Sequence, residues 1–268
     1  MRTASFLMNA ALVLGTAGAG TAAAGSTAAD SAAAPFELHR VRVANQRVTY
    51  AVYVPPGYDR SQKWPCVVFL HGSGECGTDG AKPALVGLGP AIRAHPERWP
   101  CIVVMPQKPT EDAEWEEHED LVLACLRAVR RRYRIDPERI VLTGMSQGGH
   151  GTWVLATRHP DLFSCLAPVC GYARARTVAK RVAHLPVWAF HGLRDDVVDP
   201  RDTQTIVAAI QEERRARGLV PDGPAGARAT LYPEINHGCW DAAYGDPELP
   251  AWMLAQRRAP GGAAAPHP

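Results

Sequence analysis

The sequence has almost no excess of charge of either sign. Against 29 Lys and Arg stand 27 Asp and Glu, a formal net charge of +2. That excludes a strong electrostatic case for nucleic acid, because no basic surplus exists to neutralise a run of phosphates. The one basic run, Arg130-Arg131-Arg132 with Arg134, falls where a helix is predicted to end, and cations there suit the helix dipole. The chain also lacks any C-x-x-C and any His/Cys cluster at zinc spacing, so no metal site is expected. It lacks an internal repeat and a second domain. After the first residues it has no apolar run of membrane length. What remains is globular in proportion, with 46% hydrophobic and 21% charged residues.

The ends read differently from the middle. Arg2 is followed by an apolar stretch over residues 5–14, then by Ala22 and Ala24 in an A-x-A pattern. This predicts a signal peptide over 1–24, a flexible leader over 25–34, a folded domain over 35–258 and a disordered tail over 259–268. The expected location is therefore secreted or periplasmic, with no membrane association after signal removal. Seven cysteines lie beyond residue 24. An exported chain permits disulfides, and an odd count leaves at least one free thiol.

The middle alternates short apolar runs with helical patterns. Residues 40–43 and 47–55 flank a turn and predict an opening antiparallel pair. Runs at 66–70, 101–105, 139–144, 165–171, 187–192 and 229–234 are near-continuously apolar, as strands buried on both faces are. Helices are predicted over 117–134, 148–158, 203–217 and 248–257. The fold class is α/β, a mostly parallel eight-stranded sheet covered on both faces. Only about 15 residues join the strands ending near Cys170 and starting near Val187, so no large lid is expected there.

Three short segments carry chemistry. Gly144-Met145-Ser146-Gln147-Gly148 follows a strand and opens a helix. A serine on such a sharp turn projects its hydroxyl above the sheet, and glycines relieve the crowding around it. Ser146 is the candidate nucleophile. His71-Gly72-Ser73-Gly74 follows the strand at 66–70. The backbone N–H of Ser73, with that of Gln147, makes a candidate oxyanion hole, and His71 reads as an organiser of its own loop. In this plan the acid follows the nucleophile and the base comes last. Asp195, Asp196 and Asp199 occupy the loop after 187–192, with Asp195 the best placed. Beyond them stand only His237 and His267, and His267 lies in the tail, which leaves His237 as base. Gln107 and Trp115 are expected to line the pocket. The chemistry needs no cofactor.

These segments resemble the α/β-hydrolase superfamily over residues 40–257. The nearer resemblance is to secreted bacterial esterases related to prolyl oligopeptidases and dienelactone hydrolases, including feruloyl- and acetyl-esterase-like members. It rests on FLHGSGECG (69–77), MPQ (105–107), YRIDPERIVLTGMSQGGHGTW (133–153), VWAFHGLRDDVV (187–198) and YPEINHGCWDAAYGDPELPAWMLAQRR (232–258). The resemblance places the acid at Asp195 and the base at His237. It implies a serine carboxylic-ester hydrolase on short-chain, acetyl or feruloyl-type esters, small or linked to polysaccharide. A serine peptidase, an acyltransferase and, last, a non-catalytic binding protein are the alternatives. Two departures involve cysteine: the family pattern usually carries Arg at 76 and a small polar residue at 239. They suggest a Cys76–Cys239 disulfide at the rim of the site, and the neighbouring strands of the fold suggest a Cys66–Cys101 bridge.

Overall fold

The computed structural model describes residues 36–258. The segments read as signal peptide, leader and tail, with His267, lie outside them. The sheet contains eight strands in the order β1-β2-β4-β3-β5-β6-β7-β8. β1 (Phe36–Val43) and β2 (Gln46–Tyr53) form the antiparallel pair, and β2 runs antiparallel to β4 (Ile102–Met105). From β4 onward the sheet is parallel through β3 (Trp64–Leu70), β5 (Ile135–Met145), β6 (Cys165–Val169), β7 (Val187–Gly192) and β8 (Ala227–Tyr232).

The continuous apolar runs have a simple cause. Each strand of the centre is covered twice, so both of its side-chain rows must be apolar. On one face Cys66, Val68, Leu70, Leu142 and Ala189 meet α2 (Glu119–Arg132), α3 (Gln147–Arg158), α4 (Ala175–Val182) and α5 (Pro200–Ala216). On the other face Val67, Phe69, Val103, Ala167 and Phe190 meet α1 (Leu88–Ala94), α6 (Trp240–Gly245) and α7 (Glu248–Ala255). Arg130, Arg131 and Arg132 form the last turn of α2, as the dipole argument requires. Among the described residues no helix is long and apolar enough to cross a membrane.

This two-faced burial corrects one cysteine expectation. Cys66 belongs to the first core and Cys101 to the second. Adjacent strands do bring them near, but the sheet itself separates their side chains, and a bridge is excluded. The Cys76–Cys239 bridge is absent too. All seven cysteines are free thiols. Cys239 is buried against the Cys170 thiol, while Cys76 is half-buried on a different loop, near Lys108. The segment 170–186 between β6 and β7 carries α4 alone, so no large insertion stands there.

Candidate active site

The parallel strands β3, β5, β7 and β8 all end on one edge of the sheet, and the loops leaving them carry the candidate groups. Ser146 stands between the last residue of β5 and the first of α3, with φ 54° and ψ −119°. A non-glycine residue in this region costs roughly 1–3 kcal/mol and persists only where neighbours impose it. The neighbours are on hand: the Ser146 N–H donates to the Val169 carbonyl at 2.9 Å, with the Cys170 Sγ at 3.3 Å. The flanking glycines are required by space. A Cβ on Gly148 would lie 1.9 Å from the Leu70 carbonyl oxygen, and one on Gly144 2.3 Å from that of Gly148.

Strand ends bring two partners to this serine. His237, in the loop after β8, places Nε2 2.8 Å from Ser146 Oγ and Nδ1 2.7 Å from Asp195 Oδ2. A carboxylate only accepts, so Nδ1 carries the proton and Nε2 is free to accept from the serine hydroxyl. Asp195 is fully buried in its side chain. Burial alone would raise its carboxyl, but the Val198 N–H, His237 and the Val197 N–H all donate to it and hold it below its ordinary value. The competing acids are accounted for. Asp199 caps α5 by accepting the Arg201 N–H at 2.9 Å, and Asp196 is exposed. The structure therefore brings Ser146, Asp195 and His237 into one hydrogen-bonded chain.

Ser73 and Gln147 meet at the same cleft. They line, with Ser146, Tyr172, Val197, Val198, Asp199 and Asp202, a cavity of about 410 Å³. Gln147 opens α3 and Ser73 opens a 3₁₀ turn, Ser73–Glu75. First-turn N–H groups have no acceptor within their own helix, so both are available to a ligand. The loop holding Ser73 is fixed from beneath. Glu75 accepts the Gly72 N–H at 3.0 Å, and His71 donates from Nδ1 to the Gly72 carbonyl at 2.6 Å while Nε2 accepts the Lys108 N–H. Burial pushes the His71 imidazole down to about 4, so it stays neutral and structural, as its position in the loop suggested.

Two pocket expectations are corrected. Gln107 is buried and holds the same loop from below. It accepts the Gly80 N–H at 2.5 Å and donates to the Glu75 carbonyl at 2.9 Å. Trp115 is fully buried, its Nε1–H given to the His71 carbonyl at 3.0 Å and its ring edge-on to His71. Neither presents a surface to the cleft. Gln107 does follow β4 at the catalytic edge of the sheet, but side-chain direction is not visible from that position. Tyr172, Val197, Val198 and Asp202 line the cleft instead. Tyr172 is held rigidly, stacked on His150 at 4.4 Å and donating its hydroxyl to Glu114 at 2.6 Å. Val197 and Val198 stand two and three residues after the acid, inside VWAFHGLRDDVV (187–198), whereas no motif marks Tyr172 and Asp202.

The strand order, the serine turn between β5 and α3, and the late acid and histidine loops define an α/β-hydrolase. Residues 42–252 match the family described as "Putative esterase", and the chain belongs to that family. No curated protein matches the sequence. Among solved structures it is similar to a thermostable esterase at 28% identity, with TM-score 0.65, over 83% of this chain and 63% of that one. A feruloyl esterase module from Clostridium thermocellum shares the fold at 16% identity and TM-score 0.64, over 84% of this chain and 89% of that one. So does an acylaminoacyl peptidase from Pyrococcus horikoshii, at 15% identity and TM-score 0.61, over 81% of this chain and 40% of that one.

Proposed function

We propose that the protein is a secreted serine carboxylic-ester hydrolase that works through an acyl-enzyme. The observation that carries this reading is the unbroken chain from Ser146 Oγ to His237 at 2.8 Å and from His237 to Asp195 at 2.7 Å. His237 takes the hydroxyl proton as Ser146 attacks the ester carbonyl, then gives it to the departing alcohol. Asp195 fixes the imidazole tautomer and stabilises its charged form. The carbonyl oxygen becomes an oxyanion between the Ser73 and Gln147 N–H groups, with the positive end of α3 behind it. Water, activated by the same histidine, then releases the acid.

The cleft supports a substrate class. It is open, lined by Tyr172, two valines and polar groups, and the connection between β6 and β7 carries only α4. Such a site suits short-chain, acetyl or feruloyl-type esters, free or attached to a polysaccharide, better than long acyl chains. Export rests on the pattern in residues 1–24. The test is a panel of p-nitrophenyl acetate, butyrate and octanoate, methyl ferulate and a peptide amide, with Ser146→Ala alongside. Ester turnover that falls with chain length and vanishes in the variant is expected. Amide turnover without ester turnover would make it a peptidase, and ester turnover undiminished in Ser146→Ala would remove the proposed nucleophile.

A further inference from the structure

The mechanism above uses one histidine on Asp195, but the structure supplies two. His191, the fifth residue of β7, has no solvent exposure. Its Nε2 lies 3.0 Å from Asp195 Oδ2, the same oxygen that His237 engages, and 3.1 Å from the Val198 carbonyl. Both neighbours are acceptors only, so Nε2 carries a proton. Burial disfavours the charged ring. In the neutral ring Nδ1 must then accept, and the buried Thr203 hydroxyl on α5, 2.7 Å away, is its donor, the competing Gly171 carbonyl lying farther from that hydroxyl at 3.4 Å. The tautomer is fixed at both ends. The Asp195 carboxylate consequently receives four donors, two backbone N–H groups on Oδ1 and two imidazoles on Oδ2.

We infer that His191 is a positioning residue for the proposed triad: its Nε2–H orients Asp195 and shares the charge that His237 would otherwise draw on alone. This rests on the triad reading of the preceding section. Two effects follow from removing the donor. The carboxylate gains freedom to turn about its own bond, which misaligns His237. Its charge is also left undivided for His237, which favours the protonated imidazole. The titratable groups facing His191 are Asp195 from the loop after β7 and His237 from the loop after β8, while the Cys170 thiol after β6 is pushed up by burial, by Cys239 and by Asp195 and so stays neutral. None of these changes in the variants below, so the direction of the effect is set by the lost hydrogen bond.

The test compares His191→Leu, which deletes the donor, with His191→Gln, whose amide nitrogen can replace Nε2–H. Hydrogen-bond partners that orient metal-ligating side chains carry about 10–100-fold in metal affinity or activity, and a partner that orients the triad carboxylate is expected to act on the same order. In His191→Leu kcat is expected to drop by about that factor, and the acid limb of kcat/KM is expected to move to higher pH. His191→Gln is expected to restore both. Active-site titration with a fluorophosphonate corrects for any unfolded fraction, and Thr203→Val, which frees the tautomer from α5, serves should His191→Leu fail to fold. Thr203→Val is then expected to move the limb in the same direction. A purely structural role would lower the titratable fraction or kcat and leave the limb in place, and that result overturns the inference. Activity surviving in Asp195→Ala would instead overturn the triad reading on which it stands.

Discussion

Adding one methyl group at Gly148 should disable the site without touching any reacting group. The residue is the second of α3, where the helix N-terminus packs onto the end of β3. A Cβ there would meet the Leu70 carbonyl oxygen at 1.9 Å, the Leu70 carbonyl carbon at 2.5 Å and the His71 carbonyl oxygen at 2.6 Å. All three are backbone atoms of β3 and its exit, so no side chain can swing aside. The start of α3 must retreat by roughly 1 Å before the contact becomes tolerable. That displacement carries Gln147 away from Ser73 and Ser146 away from His237, all by a comparable distance. Misplacement of about 1 Å costs on the order of 10² in rate, and overpacking about 1–3 kcal/mol in stability. The assay is kcat on p-nitrophenyl acetate, corrected for the active fraction by burst titration, with a thermal melt beside it. Gly74→Ala is the control, because a Cβ there has no atom within 4 Å. Gly148→Ala with kcat within twofold of wild type would refute the packing argument.

The acid response has two parts. As a neutral imidazole is needed to accept the serine proton, kcat/KM is expected to fall below about pH 7, and a flat profile from pH 5 to 8 would contradict a histidine base. Asp195 is held below its ordinary value in the fold, so its contribution to stability is complete above that value and is lost as pH falls through the lower folded value. Chemical denaturation at pH 5 and pH 3 should show the loss in wild type and a smaller one in Asp195→Asn. Trp115→Phe removes the hydrogen bond to the His71 carbonyl but no cleft surface. It is expected to cost about 1–3 kcal/mol in stability while leaving KM near wild type, and a large KM change with unchanged stability would return Trp115 to the pocket.

What could be read from the residues alone was whatever local pattern carries. The buried strands showed as unbroken apolar runs because both faces of β3, β4, β6 and β7 are covered. Ser146 showed because its turn demands glycines on both sides, and His237 because the order of the loops eliminated every other histidine. The short helices α1, α4 and α6 did not show. Each has eight residues or fewer, too few for a 3.6-residue period to stand out, and α1 contains Gly89 and Pro90. Gln107, Trp115 and the cysteine pairs were misread for one shared reason. Each required knowing which side of a strand or loop a side chain leaves from, and that is decided by packing. His191 lies inside VWAFHGLRDDVV (187–198), but its bond to Asp195 closes only once β7 and its loop fold back together.

Ser146 is the group proposed to take the acyl chain. Its most direct test is intact-mass and peptide mapping after brief exposure to diethyl p-nitrophenyl phosphate, a reagent that phosphorylates an activated serine irreversibly. One diethylphosphoryl group per chain, mapped to Ser146 and accompanied by complete loss of esterase activity, is the predicted result. An unlabelled Ser146 in a protein that is folded and turning over esters would contradict the account.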